Sequence, residues 1–217
     1  ENNIDFSILG MGENLSSKKK IILDRKDTQD RTDLNSPQKI LNFLEEGNKR
    51  YTDGDLVSRR YQNKKLKDFI KVAPLAVMVN CIDMREPLNM LMNTGIGDLI
   101  PLKVAGNLLD RHLIESIEIS CRKQKARLIL IMGNTSNKLI LSSLKKILEN
   151  PDSCSPLLVP AINEKFFKPE QLTKANLEEW SERLMAWNLE FSKNLILSQN
   201  QYLNHEISLG KIGLCTA

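Results

Sequence analysis

The side chains best able to do chemistry lie in two short segments, each directly after an apolar run. Cys81, Asp83 and Arg85 follow the first run, and Asn134 and Asn137 follow the second. A thiolate and a carboxylate are common zinc ligands, whereas a neutral carboxamide is a poor ligand beside imidazole and thiolate. Because one thiolate and one carboxylate are too few for a tight tetrahedral site, we predict that these segments hold no metal.

Three apolar runs predict the strands that position these segments: residues 75–79, 99–104 and 128–132. Runs that are apolar throughout, rather than alternating, indicate strands buried on both faces, as in a parallel sheet covered by helices. Apolar residues spaced three to four apart predict helices between the strands. These residues are Leu113, Ile114, Ile117 and Cys121, then Leu139, Leu144, Ile147 and Leu148. Ligands of such sheets bind at the carboxyl ends of the strands, where both candidate segments fall.

The two candidate segments resemble the halves of the zinc site of β-class carbonic anhydrases. In that family the first half reads C-x-D-x-R and the second G-H-x-x-C, and zinc is held by the first Cys, the His and the second Cys. Cys81 matches the first ligand, while Asn134 and Asn137 stand at the two other ligand positions. The resemblance implies a degenerate member that lacks two of three zinc ligands. It also implies that Asp83 and Arg85 are retained at catalytic positions as a vestigial dyad.

Further blocks carry the same resemblance, in the right order along the chain. Residues 41–51 end in G-N-K-R-Y and are similar to the family's N-terminal helix. Residues 95–99 and 104–107 match the segments around its second strand, and residues 203–215 are similar to the approach to its last core strand. The resemblance implies an α/β fold, with a central, mostly parallel sheet flanked by helices and an N-terminal helical arm.

The resemblance and the composition together predict the domain organisation. Residues 1–35 are polar with mixed charge, which is typical of a linker or arm. Residues 36–217 form the carbonic anhydrase-like domain, in which residues 36–71 are similar to the family's dimerisation arm. Ser36 and Pro37 supply a helix cap and a proline at the first helical position. The chain begins with Glu rather than Met, so we expect it to be part of a longer protein.

Composition and charge are ordinary for a globular protein. Of the 217 residues, 41% are hydrophobic and 27% are charged, and 31 basic against 27 acidic side chains give a net charge of +4. This near balance does not predict a nucleic-acid partner. No stretch approaches the roughly 20 apolar residues of a membrane helix, and the polar N-terminus lacks a signal-peptide pattern. The four scattered cysteines predict reduced thiols in the cytoplasm.

The remaining candidate metal ligands are His112, His205, Cys121 and Cys154. Neither histidine occupies the loop position that faces Cys81 in the family, and a lone histidine on a helix is far more often a surface or packing residue. We place His112 at a helix start and His205 near the end of a long C-terminal helix. Cys121 lies on an apolar helical face and is predicted to be core, whereas Cys154 lies in a loop.

Three functions from different classes remain open. In the first, the chain is a catalytically inactive domain that dimerises or regulates a larger protein. The resemblance extends to cytoplasmic domains fused to SulP-class membrane anion transporters, which would place it at the inner face of the membrane. In the second, Arg85 and the backbone near Gly106 bind bicarbonate or another small anion. In the third, the chain is a zinc-dependent carbonate dehydratase with reorganised ligands.

Overall fold

The computed structural model describes residues 33–57, 73–135, 137–150, 153 and 155–217. The strands are β1 (Ala76–Cys81), β2 (Leu99–Val104), β3 (Leu128–Met132) and β4 (Gly213–Thr216). The helices are α1 (Pro37–Thr52), α2 (Leu88–Leu91), α3 (Arg111–Arg122), α4 (Lys138–Glu149), α5 (Val159–Asn163), α6 (Leu177–Gln199) and α7 (Gln201–Ser208). Two 3₁₀ turns span Ala105–Asn107 and Pro169–Gln171.

The four strands form one parallel sheet in the order β2-β1-β3-β4. Ala76 is in register with Leu99 on one side and with Leu128 on the other, and Leu128 is in register with Gly213. Every residue of β1 and β3 is buried, including the polar Asn80, as predicted for strands covered on both faces. The same prediction is wrong for β2, which ends the strand order and alternates between partly buried and exposed positions beyond Leu99. The α/β fold with a parallel sheet is therefore confirmed, and the carboxyl ends of β1 and β3 lie side by side.

Two apolar layers cover the sheet, because successive side chains of a strand point to opposite faces. Val77 and Val79 of β1 pack into the larger layer, which draws on α3, α4, α6 and α7. Ala76 and Met78 pack into the smaller layer, which is built mainly from α1, α2 and the ends of the strands. Burying one such aliphatic side chain stabilises the fold by about 1.5–3 kcal/mol.

The predicted N-terminal helix is present as α1. Ser36 caps it, since its Oγ accepts a hydrogen bond from the backbone N–H of Lys39. Ile40 and Leu44 are buried in the smaller layer, so the helix packs on the sheet of its own chain. Residues 1–32 and 58–72 lie outside the described part, and a role of residues 36–71 in dimerisation stays a prediction.

The G-N-x-R block at the end of α1 fixes its contact with α2. A Cβ on Gly47 would overlap the carbonyl oxygen of Met92, so only glycine permits this close approach. The side-chain amide of Asn48 donates to the carbonyl oxygen of Leu91 at 3.1 Å. These two residues hold α1 against the segment that leads from β1 to β2.

The C-terminal helical region differs from the sequence prediction. The long helix α6 ends at Gln199, and Asn200 caps a separate helix, accepting from the backbone N–H of Leu203 at 2.9 Å. His205 therefore lies on α7 and not near the end of the long helix. Asn is a strong helix N-cap, which explains why the chain restarts there. Within the described residues, no helix combines the length and apolarity needed to cross a membrane.

Candidate functional site

Cys81 is the last residue of β1, and only 1% of its surface is exposed. Two backbone N–H groups point at its sulfur. Gly106 donates to Sγ at 3.4 Å, and Asp83 donates at 3.5 Å. The first contact joins the end of β1 to the turn that follows β2, so the thiol sits where the two loops meet.

Hydrogen bonds from helix α6 hold the turn at Gly106. Gly106 has φ +62° and Asn107 has φ +59°, which is left-handed backbone that favours glycine and asparagine. The side-chain amide of Asn188 donates to the carbonyl oxygen of Gly106 at 2.8 Å. The hydroxyl of Ser192 donates to the carbonyl oxygen of Asn107 at 2.6 Å. Helix α6 thereby fixes the N–H that meets the sulfur of Cys81.

Sequence reasoning missed Asn188 and Ser192. Both are fully buried, and they lie four residues apart, on the same side of a mostly apolar helical face. Such polar pairs inside an apolar stripe predict buried side chains that form hydrogen bonds within the protein. Their spacing was the signal that could have found them.

The second candidate segment is closed by a pair of carboxamides. Asn137 is 1% exposed and is the N-cap of α4: its Oδ1 accepts from the backbone N–H groups of Leu139, at 3.1 Å, and Ile140, at 3.0 Å. Its Nδ2 donates to Oδ1 of the half-buried Asn134 at 2.9 Å. The oxygen and the nitrogen of Asn137 are therefore both occupied by hydrogen bonds within the chain.

Asp83 links the two segments. Its Oδ2 accepts from the backbone N–H of Lys138, the first residue of α4, at 2.8 Å. A carboxylate is favoured there because the helix N-terminus carries partial positive charge. The expected partner, Arg85, is exposed, and the ion pairs recorded among the described residues do not join it to Asp83. The role of the two residues as a vestigial dyad stays a prediction.

Three of the other candidate ligands lie on helices α3 and α7. His112 is the second residue of α3 and is exposed, as is His205. Cys121 is buried on α3, and burial raises the pKa of its thiol from 9.0 to about 12. Cys154 lies outside the described residues.

The chain belongs to the carbonic anhydrase family, whose model matches residues 76–217, and it has the fold of β-class carbonic anhydrases. Two mycobacterial relatives are similar to it. A carbonic anhydrase of Mycolicibacterium smegmatis is 26% identical over 105 residues, 48% of this chain and 51% of the relative. Carbonic anhydrase 2 of Mycobacterium tuberculosis is 26% identical over 108 residues, which are again 48% of this chain and 51% of the relative. The chain thus matches only about half the length of these relatives.

Solved structures show the same fold. The β-carbonic anhydrase CcaA is 16% identical, with a TM-score of 0.53 over 81% of this chain and 88% of that one. A tetrameric β-carbonic anhydrase from Sordaria macrospora is 15% identical, with a TM-score of 0.55 over 81% of this chain and 89% of that one. At these identities the likeness establishes the architecture of the sheet and its helices.

The family is normally zinc-dependent, but the donors described here do not fit zinc. Cys81 contributes the one thiol, and the matching positions on the second loop carry the carboxamides of Asn134 and Asn137. Within the described residues, no three His, Cys, Asp or Glu side chains are grouped so that they could hold a metal ion. The buried Oδ1 atoms of Asn107 and Asn188 accept no hydrogen bond from described residues. They are neutral carboxamide oxygens, however, and these are poor zinc donors.

Proposed function

We propose that this chain is a catalytically inactive β-carbonic anhydrase-like domain that acts by self-association and regulates a larger protein. The observation that carries the proposal is the hydrogen bond from Nδ2 of Asn137 to Oδ1 of Asn134. It joins the two residues that stand at the family's ligand positions. A metal ion could replace it only if the cap of α4 were also lost, because Oδ1 of Asn137 bonds the first turn of that helix.

The test of inactivity is carbon dioxide hydration by the purified chain with zinc added in excess. The proposal predicts the uncatalysed rate, followed in a stopped-flow instrument with a pH indicator. A zinc-dependent rate that Cys81→Ser abolishes would instead establish a carbonate dehydratase with reorganised ligands. Cys121→Ser is the matched control, because it alters a buried thiol away from the two loops.

Self-association is supported by apolar side chains exposed on the segment between β1 and β2. Ile82, Met90 and Ile96 are 50%, 53% and 51% exposed, respectively. We infer that they belong to one surface, because contiguous exposed apolar patches are typical of a surface that another protein covers. The Sordaria macrospora relative is described as tetrameric, which agrees with a second copy of this chain as the occupant.

Sedimentation velocity tests this surface directly. We expect the parent chain to sediment as a dimer or larger, and the double variant Ile82→Lys with Met90→Lys to sediment as a monomer. Ile119→Lys is the matched control, because Ile119 is 55% exposed on helix α3. A monomeric parent, or a control that dissociates as completely as the double variant, contradicts the proposal.

A second candidate function is the binding of bicarbonate or another small anion. It is favoured by the exposed guanidinium of Arg85, for which the described residues record no ion pair. The N–H of Gly106, the other candidate donor, already points at the sulfur of Cys81. Bicarbonate should raise the melting temperature of the parent chain, since a ligand of the folded state stabilises it. Arg85→Ala should remove that rise, and Arg111→Ala, at another exposed arginine, should not.

The larger protein that the resemblance implies is a membrane anion transporter of the SulP class. In that arrangement the domain lies in the cytoplasm at the inner face of the membrane. Transport by the whole protein is then the readout of regulation. The double variant at Ile82 and Met90 should change the transport rate, and Ile119→Lys should leave it unchanged.

A further inference from the structure

A cleft lies at the amino ends of β3 and β4, whereas Cys81 lies at the carboxyl end of β1, on the opposite side of the sheet along the strand direction. Its volume is about 480 Å³, and its walls are the start of α1, the loop between α3 and β3, and the turn between α7 and β4. Pockets for small molecules span about 300–1,000 Å³. We call this space the amino-end cleft; Cys81, Asp83, Arg85, Asn134 and Asn137 do not line it.

Cations dominate the rim of the amino-end cleft. Lys125, Arg127 and Lys211 line it, against the single carboxylate of Glu206. Glu206 lies 3.4 Å from the ammonium group of Lys211, so one positive charge is partly offset. Lys125 takes part in none of the ion pairs recorded for the described residues. The rim therefore retains an excess of positive charge that an anion would neutralise.

The floor of the cleft is apolar and uncharged. Cys121, Ala126 and Ile212 are buried there, and the ring of Tyr202 adds a flat wall. Burial raises the pKa of the Cys121 thiol to about 12. Burial, with the charge of Glu206, also raises the pKa of the Tyr202 phenol. Both groups are thus neutral near pH 7, and the floor adds no negative charge to repel an anion.

The cleft is held in shape by the sheet. The N–H of Arg127 donates to the carbonyl oxygen of Leu75 at 3.1 Å, and the carbonyl oxygen of Arg127 accepts from Gly213 at 2.9 Å. The guanidinium of Arg127 also donates to the carbonyl oxygen of Asn35, which joins the start of α1 to the rim. Since Arg127 and the backbone beside it are fixed before any ligand arrives, this part of the cleft would cost little ordering entropy on binding.

We propose that the amino-end cleft binds a small organic anion. Its carboxylate or phosphate group lies among Lys125, Arg127 and Lys211, and its flat apolar body lies against Tyr202 and Ile212. This binding activity goes beyond the function proposed above, and it depends on neither zinc nor the loops at Cys81. It would give a regulatory domain an effector site at the amino ends of its strands, away from the loops at Cys81.

The test is an amide NMR titration of the full ¹⁵N-labelled chain with three probes of similar shape. Benzoate carries a carboxylate, phenyl phosphate carries a phosphate ester, and benzamide is neutral. We expect saturable shifts at the amides of residues 121–127 and 206–212 for at least one anion by about 10 mM, a concentration that detects millimolar affinity. Benzamide should give none. Saturation by only one of the anions identifies the acidic group that the cleft accepts.

Removing two positive charges then distinguishes binding in the cleft from general electrostatic attraction of the anion to the protein surface. Lys125→Gln with Lys211→Gln should raise the dissociation constant of the anion about three- to tenfold, as expected for the loss of two exposed charges. Lys145→Gln, at an exposed position on α4, should leave it unchanged. Each single variant should give part of the loss. No saturable shift, shifts centred elsewhere, equal binding of benzamide, or an equal effect of Lys145→Gln would overturn the proposal.

Discussion

Asn137 and Asn134 are hydrogen-bonded to each other through their side chains, with 2.9 Å between Nδ2 and Oδ1. In the family to which this chain belongs, the resemblance assigns both positions to zinc ligands. Here the pair holds the loop in place through hydrogen bonds within the chain, because Asn137 also caps helix α4. We propose that these two residues, which stand where the resemblance places metal ligands, supply a substitute for the order that a metal would impose.

Removing the cap should weaken the fold by a predictable amount. Asn137→Ala leaves the backbone N–H groups of Leu139 and Ile140 without their acceptor, so we expect a loss of about 1–2 kcal/mol in the free energy of unfolding. Urea denaturation measures it. Asn137→Ser keeps a capping oxygen but cannot reproduce the bond to Asn134, and it should recover most of the loss. If serine is no better than alanine, the cap is not what Asn137 contributes.

Asp83 and Arg85 should behave as independent residues. Asp83→Ala removes a charged acceptor from the N–H of Lys138, and we expect it to cost about 1.5–3 kcal/mol of stability. Arg85→Ala changes an exposed side chain and should lie within about 0.5 kcal/mol of the parent. A double-mutant cycle should then give a coupling energy near zero. Strong coupling would show that the two side chains pair in solution after all.

The buried thiol of Cys121 should make the protein sensitive to alkali. Burial raises its pKa from 9.0 to about 12, so in the unfolded chain the thiol ionises above pH 9 while in the folded chain it stays neutral. The unfolded state then binds fewer protons, and stability falls as pH rises through this window, by about 1.4 kcal/mol per pH unit for one thiol. Cys121→Ala should reduce the slope between pH 9 and 11 without abolishing it, because burial also raises the pKa of the Cys215 thiol from 9.0 to about 11. Urea denaturation with a reductant present measures the slope. An unchanged slope contradicts the burial of this thiol.

Restoring the ligands tests the residue-by-residue match with the family. We expect Asn134→His with Asn137→Cys to bind zinc, because the spacing between the two positions is already that of the family motif. The metal-free double variant should lose about 1 kcal/mol, since cysteine is a poorer helix cap. Zinc should raise its melting temperature, because binding favours the folded state. Asn134→His alone is the control and should bind weakly. A double variant that folds and binds no zinc would show that the loops have diverged.

Much of the fold follows from local pattern. The apolar run at residues 128–132 coincides with β3, and the helical spacing from Leu113 to Cys121 falls within α3. Such patterns work because burial on both faces of a strand, or on one face of a helix, is imposed residue by residue. Asn200 shows where the reasoning failed. A single capping residue divides two helices whose apolar spacing reads as continuous.

The site was only partly predictable. Cys81 and the two asparagines could be chosen from the motif, and the cap at Asn137 could have been read from its place before an apolar helix. The bond from Lys138 to Asp83 could not be read, because it joins residues 55 positions apart and depends on how two loops meet. The same holds for Asn188 and Ser192, whose partners lie on the turn after β2.

The zinc content of the chain, purified without added metal or chelator and measured by elemental analysis, tests the central claim most directly. The hydrogen-bonded asparagines predict a value near zero per chain, together with a value near one for the variant that carries His at 134 and Cys at 137. A value near one for the parent chain would contradict the claim, because it would require a ligand set other than Cys81, Asn134 and Asn137.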